Sequence, residues 1–345
     1  MPAAVVVGCM EGMAAWRRLR GLRRRRHRPD RLLPASKERL RRHVEELCAR
    51  GRSIHDRSGY ESAAAYIDQT LQDLGLQVRS QPVPVGDGAG WMPRNILVRF
   101  GPDRAEGSRF VVGAHYDVFE PEGPVVKHPG ADDNASGVAV LLEVARLLSR
   151  EELDVAVELV AFANEEPPFF GSPAMGSDVH ARSLSARGAR VTGMLSLECL
   201  GYFRDEEGSQ QAPPGIGMET PSRADFLAVV GDDSCRGFVE EVGRVVERHC
   251  LVPLVPVSAP TWVPGIDLSD HLSYLRRGWP AAMLTDTAMF RNPNYHRPTD
   301  RPETLDYDRM AEIAAALAAA VPELGSGRAV HAAAGADAAE AGATA

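Results

Sequence analysis

Five short stretches of this sequence carry side chains that bind metals or move protons. Three read as the carboxyl ends of strands, "GAHYD" (113–117), "FANEE" (162–166) and "SLECLGY" (196–202), and a fourth, "NPNYHRPTD" (292–300), as a late loop. The fifth, "PGADDNASG" (129–137), sets two adjacent carboxylates before a helical run. Alone, that fifth stretch has two readings, because Asp, Asn and Ser also cap helices and suit their positive ends. The set is more specific. His115, Asp117, Asp132, Asp133, Glu165, Glu166, Glu198 and His296 make an oxygen and nitrogen group suited to a borderline divalent ion such as zinc. Converging carboxylates call for a cation, since burying an unpaired charge is expensive. Two zinc ions would bring four positive charges, matched by three ligand carboxylates and one hydroxide. One carboxylate then remains as a base and another to orient the ligands.

Such convergence needs a scaffold, and the sequence supplies one. Ser36 caps a helix in "SKERLRRHVEELCARG", with Leu40, His43, Val44 and Leu47 on one face, and "YESAAAYIDQTLQDLG" forms a second helix closed by Gly75. Strands follow: "LQVRSQPVPV", placed at an edge by its prolines, then "RNILVRF" and "RFVVGAHYD". After Asn134 an amphipathic helix, "VAVLLEVARLL", leads to the strand "VAVELVAFANEE", and a helix near 171–186 leads to "VTGMLSLECLGY". Then come "DFLAVVG", the helix "CRGFVEEVGRVVERH", "LVPLVPV", "PAAMLTD" and a closing helix from about Tyr307 to Ala320, stopped by Pro322. This alternation predicts an α/β fold, a single αβα domain with a mixed, mostly parallel central sheet and helices on both faces. Ligand sites in such sheets gather at the carboxyl ends of the strands, where the motifs lie. The Gly/Pro-rich segment 204–223 is expected to rim the site.

Composition fits that picture. The chain has 345 residues, 44% hydrophobic and 25% charged, and a net charge of −8. Residues 1–36 hold nine arginines against Glu11 and Asp30, a local +7, so the remainder stands at about −15. An acidic body argues against nucleic acid as a partner. Residues 1–35 read as a basic, disordered extension, 36–324 as the catalytic domain and 325–345 as a low-complexity tail. Five widely spaced cysteines without a CxxC pair point to a reducing compartment. The apolar start precedes its basic run, the reverse of a secretory signal, and no stretch has the length of a membrane span, so a cytoplasmic location is expected.

From about residue 36 to 324 the ordered motifs "HYD", "GADDNASG", "NEE", an acidic strand end, "SDH" and "YH" resemble those of the co-catalytic di-zinc aminopeptidases. These are the relatives of bacterial leucyl aminopeptidase and aminopeptidase S, in a clan with glutamate carboxypeptidases and glutaminyl cyclases. The resemblance implies His115, Asp133, Glu166, Glu198 and His296 as ligands of two Zn2+ per chain, with Asp133 as the bridge. It implies Glu165 as general base, Asp117 as the carboxylate orienting His115, and Tyr295 as the group stabilising the tetrahedral intermediate. The implied activity is metallo-exopeptidase hydrolysis of N-terminal peptide bonds in a peptide or small aminoacyl substrate. Glu198 stands where relatives often have Asp, and "PPFFGS" after the glutamate pair departs from simpler members, so pocket shape does not transfer. Carboxypeptidase or dipeptidase activity, a single-zinc glutaminyl cyclase and an inactive binding protein remain the alternatives.

Other candidates carry blander readings. His128, His180, His249 and His271 lack an acidic partner at a strand end, and His271 is expected to pack behind a helix capped by Ser269 and Asp270. Asp132 reads as a cap or a support for the ligands, and Arg291 as either a forked donor to a substrate carboxylate or a structural ion pair. Gly130 and Gly137 read as turn residues, with no phosphate-binding pattern around them.

Overall fold

The structure, a computed structural model, describes residues 34–85, 91–102, 107–121, 127–212 and 221–327. The basic extension before residue 34 and the tail after 327 lie outside the described residues. The elements run α1 (Lys37–Cys48), α2 (Arg57–Asp73), β1 (Arg79–Pro82), β2 (Arg94–Phe100), β3 (Arg109–His115), α3 (Gly137–Leu148), β4 (Val157–Phe162), α4 (Gly176–Ala186) and β5 (Val191–Glu198). They continue with β6 (Leu227–Asp232), α5 (Arg236–Glu247), β7 (Leu254–Ala259), α6 (Leu272–Leu275), β8 (Ala281–Thr285) and α7 (Tyr307–Gly325).

Among the described residues the strands form one sheet in the order β1-β2-β4-β3-β5-β8-β6-β7. The β3 pairings with β4 and β5 are parallel, as are β5 with β8 and β6 with β7; β1–β2, β2–β4 and β6–β8 are antiparallel. The mixed, mostly parallel sheet and the proline-bearing edge strand β1 thus match the expectation. Strand alternation splits the core: Phe110, Val112 and Ala114 face the larger cluster with α1, α2, α3, α5 and α7, while Val111 faces a smaller one with Ala181 and Leu184 of α4. On β6, Leu227 and Val229 join the large cluster, and Ala228 and Val230 turn to a third, with Val255 and Met283.

Three local expectations are corrected. Helix α2 starts earlier than its apolar pattern, at Arg57, because Asp56 caps it by accepting from Gly59 N at 2.9 Å. Helix α3 is not amphipathic in place: every residue but Arg146 is buried, since α1 and α7 cover its outer face. Its lone acid, Glu143, is satisfied by Arg39, Arg146 and the Ser36 amide at 2.8–3.3 Å. Pro322 does not stop α7, which runs to Gly325; the proline opens the last turn, and buried Val321 and Leu324 hold that turn against the core. Among the described residues no helix is long and apolar enough to cross a membrane, and Cys48, Cys199 and Cys235 are free thiols.

Candidate metal centre

The candidate ligands meet beyond the carboxyl ends of β3, β4 and β5. His115 is the last residue of β3 and Glu198 the last of β5. Glu165 and Glu166 follow β4 after Asn164, whose left-handed backbone (φ 58°) ends the strand's alternation. Asn164 is pinned by Tyr60, whose hydroxyl donates to its Oδ1 and accepts from its amide, both at 2.9 Å. Cys199 (φ 50°) and His296 (φ 56°) are also left-handed, so three of the converging segments bend sharply at the site.

The turn 131–136 delivers Asp133. Asp133 and Asn134 leave helical geometry, at φ/ψ of −104°/97° and −129°/40°, so α3 begins only at Gly137. Asn134 Oδ1 accepts from Gly137 N at 3.2 Å and Cys199 N at 3.1 Å, which caps the helix and ties it to the end of β5. Gly130 is required here: at φ 57°, a Cβ would lie 2.3 Å from Asp133 O. Asp132 braces rather than binds, accepting from Gly201 N at 2.9 Å and Asn292 Nδ2 at 2.7 Å.

Asp133 stands between two groups. Its Oδ1 lies 3.4 Å from His115 Nε2, which is 3.3 Å from Glu198 Oε1. Its Oδ2 lies 3.0 Å from His296 Nε2, which is 3.5 Å from Glu166 Oε1. The sets His115–Asp133–Glu198 and Asp133–Glu166–His296 each bring their donor atoms within 4.8 Å of one another, as does His115–Glu165–Glu166. Two donors on one tetrahedral zinc, at roughly 2.0–2.2 Å, lie about 3.3–3.6 Å apart. Three of the observed spacings, 3.3–3.5 Å, match that figure, and the fourth, from His296 Nε2 to Asp133 Oδ2, is shorter at 3.0 Å. His296 Nε2 is buried and makes no hydrogen bond, despite the oxygen 3.0 Å away. The donor set and this orphaned nitrogen therefore fit zinc.

Electrostatics point the same way. Burial drives the Glu165 carboxyl well above its ordinary value, and Glu166 and Glu198 add to the rise against the pull of His115. Burial and the Asp133 charge lift Glu166 to about 7. For Asp133 burial works upward, but the two imidazoles outweigh it and hold the carboxyl well below the usual range. Burial would lower His296, yet Asp133 and Glu166 lift it to about 10. Without a cation the cluster keeps protons that a metal would displace.

The expected supports are placed as follows. Asp117 accepts from the amides of both Glu165 and Glu166 at 3.0 Å, and lies 3.5 Å from His115 Nδ1, so one carboxylate fixes the "NEE" turn and faces the imidazole. Tyr295 stacks on His296 (4.0 Å between centroids, 14°) and lines the cleft beside Asp133 and Glu166. His271 is kept from the site by a 2.7 Å contact between Nε2 and Ile266 O. The expected capping by Ser269 and Asp270 side chains is overturned: only their backbone carbonyls serve α6, while Ser269 Oγ donates to Glu198 Oε2 at 2.7 Å. Arg291 is inside the protein, bonded to Gln210 Oε1 and Phe226 O at 2.9 Å and lying on the Phe226 ring, so it is structural. Asp300 and Phe119 escaped the sequence reading, and Asp270, in "SDH", was read only as a helix cap. Asp300 accepts from the Asp132 and Asp133 amides at 3.0–3.1 Å. Asp270 is fully buried and lifted to about 7 by burial. Phe119 stacks on His296 at 4.3 Å. Only Asp300 had a signal, four residues after His296 in the same motif.

A cleft of about 140 Å³ opens from Glu165, Glu166 and Glu198 onto the β6–β7–β8 face, walled by Phe226, Val230, Val257, Ile266 and Met283, with Gln210 and Gln211 from the 204–223 loop at its rim. Residues 213–220 of that loop lie outside the described residues.

The chain is 40% identical over 287 residues to the uncharacterized protein YfbL of Escherichia coli (strain K12), covering 81% of this chain and 85% of that one. It is 28% identical over 222 residues to leucine aminopeptidase 1 of Trichophyton rubrum, a match spanning 62% of this chain and 54% of that protein. Among solved structures, BSAP, a zinc aminopeptidase from Bacillus subtilis, superposes with a TM-score of 0.63 at 17% identity over 85% of this chain and 96% of its own. A glutaminyl cyclase from Fimbriiglobus ruber gives 0.64 at 21%, over 87% and 99%. At such identities the likeness is one of fold. Residues 95–321 match peptidase family M28, and the chain belongs to that family.

Proposed function

We propose that this chain is an aminopeptidase that binds two zinc ions through His115, Asp133, Glu166, Glu198 and His296 and hydrolyses N-terminal peptide bonds. The observation that carries the reading is Asp133, whose two oxygens each face a different imidazole and carboxylate. Zinc held there supplies a Lewis acid and lowers the pKa of a bound water. Glu165 lies 3.8 Å from His115 Nε2 and lines the cleft, which places it to take a proton from the attacking water and return it to the leaving amine. Tyr295, kept protonated by burial and by the Asp133 charge, can donate to a developing oxyanion from the cleft wall.

The choice of substrate terminus rests on charge. The cleft is lined, among the described residues, by four carboxylates and by no Lys or Arg. Zinc would neutralise the ligand carboxylates, but no Lys or Arg among the described lining residues stands ready to pair with a free substrate carboxylate, so an aminopeptidase is preferred to a carboxypeptidase. An apolar cavity of about 150 Å³ takes a benzene ring, so this cleft suits a leucyl or phenylalanyl side chain. The cyclase alternative keeps the fold but predicts one zinc per chain.

A panel of leucyl and phenylalanyl amides, N-acetylated peptides and carboxyl-terminal substrates tests the reading, with and without chelator. Free amino acids should be released from the unblocked amides alone, with loss on chelation and recovery with zinc. Chelator-resistant turnover, or cleavage of blocked peptides from the carboxyl end, would sink it.

A further inference from the structure

We propose that Phe119 is a positioning residue for one of the two metals, the one held by Asp133, Glu166 and His296, and that it sets this ion's affinity separately from its neighbour's. The proposal rests on the two-zinc reading above. Phe119 lies in the segment after β3 and touches both outer ligands of that set. Its amide donates to Glu166 Oε1 at 3.1 Å. Its ring lies parallel to the His296 imidazole, 4.3 Å between centroids at 11°. Tyr295 covers His296 as well, at 4.0 Å and 14°. His296 is thus flanked by two nearly parallel aromatic rings.

Two consequences follow from the chemistry. His296 is half-buried, and stacking restricts the rotation that would swing Nε2 away from Asp133 and Glu166. An imidazole bound to a dication is electron-poor, and aromatic faces favour such a ring. The other set lacks this support: His115 is oriented by Asp117, and Glu198 by Ser269. Phe119 is also absent from the walls of the apolar cleft, so changing it leaves substrate contacts in place.

Zinc titration by calorimetry tests this on the metal-free full chain, with Phe119→Leu, Phe119→Met and Phe119→Tyr beside His296→Ala, which marks loss of the same ion. Phe119→Leu and Phe119→Met keep the amide and lose the ring; each should weaken one zinc about tenfold or more and leave the other unchanged. Phe119→Tyr should bind both ions as the parent does. At limiting zinc the Leu variant should lose kcat, with KM for leucyl amide unchanged, and excess zinc should restore it. Equal weakening of both ions, parental affinity in both non-aromatic variants, or failure of Tyr to rescue would overturn the proposal. A parent chain that takes up one zinc only would overturn the two-zinc reading and this inference with it.

Discussion

Strand β4 has a glutamate near each end, both buried, and their surroundings are opposite. Glu158, second in the strand, meets Arg99 at 2.8 Å and Arg109 at 3.1 Å. Although burial works to raise it, His180 and Arg99 hold its carboxyl well below the usual range. Glu165 and Glu166, just past the other end, face Asp133, Glu198 and each other, and burial drives both upward. One end closes its charges within the protein; the other leaves them for something else to close. A buried carboxylate with its own arginines is structure, whereas buried carboxylates facing one another imply a missing cation.

Substitutions should separate the two ends. The largest effect is expected at the rim, where Asp133→Asn should abolish binding of both zincs and all measurable turnover. Glu165→Gln should keep two zincs, by elemental analysis, and lose about a hundredfold to ten-thousandfold in kcat. Glu165→Gln should leave the melting temperature of the metal-free chain unchanged, because burial already keeps that carboxyl protonated, whereas Asp133→Asn takes the shared partner from two imidazoles and should lower it. Near-parental turnover of Glu165→Gln at matched zinc content would remove it as the base.

At the opposite end the pattern should reverse. Glu158→Gln leaves Arg109, only 5% exposed, without its carboxylate. Breaking a buried pair in this way costs about 3–5 kcal/mol. The expected result is a lower denaturation midpoint with zinc stoichiometry and KM unchanged. Equal loss of zinc in Glu158→Gln and Asp133→Asn would erase the distinction between the ends.

The two ends were unequally legible in the sequence. The rim was visible because strand exits free side chains from alternation, and His115, Glu165, Glu166 and Glu198 are all strand-exit residues. The mixed, mostly parallel sheet followed from alternation of elements for the same local reason, but its strand order did not. The supports were not visible, since their partners are far apart in the chain. Asp300 reaches the Asp132 amide across 168 positions, and Phe119 meets His296 through a loop without a periodic pattern. The apolar cleft likewise joins Phe226, Val257 and Met283 from three separate strands or their approaches. Pro322 misled because propensity is local, while the last turn of α7 is held by the packing of Val321 and Leu324.

The smallest effect is a slope with pH, and its sign differs between the ends. In the metal-free chain Glu166 is lifted to about 7 from an ordinary 4.5, so the native state keeps a proton that the unfolded chain releases. Its contribution is full below about 4.5 and is lost as pH rises through about 7. His296, lifted to about 10 from 6.5, adds stability below 6.5 that is lost as pH climbs toward 10. Glu158 runs the other way: its depressed carboxyl stabilises above the ordinary 4.5, and that contribution is lost only in acid. Above pH 5 Glu158 adds no slope, and above about 6.5, where the buried and lowered His43 and His271 no longer oppose it, the rim together with Asp270 and Asp300 should lower the stability of the metal-free chain by up to about 1.4 kcal/mol per pH unit for each proton of difference. Zinc competes for the same sites, so it should bind more tightly as pH rises and release protons as it does. Melting curves from pH 5 to 9 in chelator and in zinc should then diverge. A metal-free chain that gains stability from pH 7 to 9 would mean that Glu166 is held ionised within the protein, as Glu158 is, and that the rim needs no metal to close its charge.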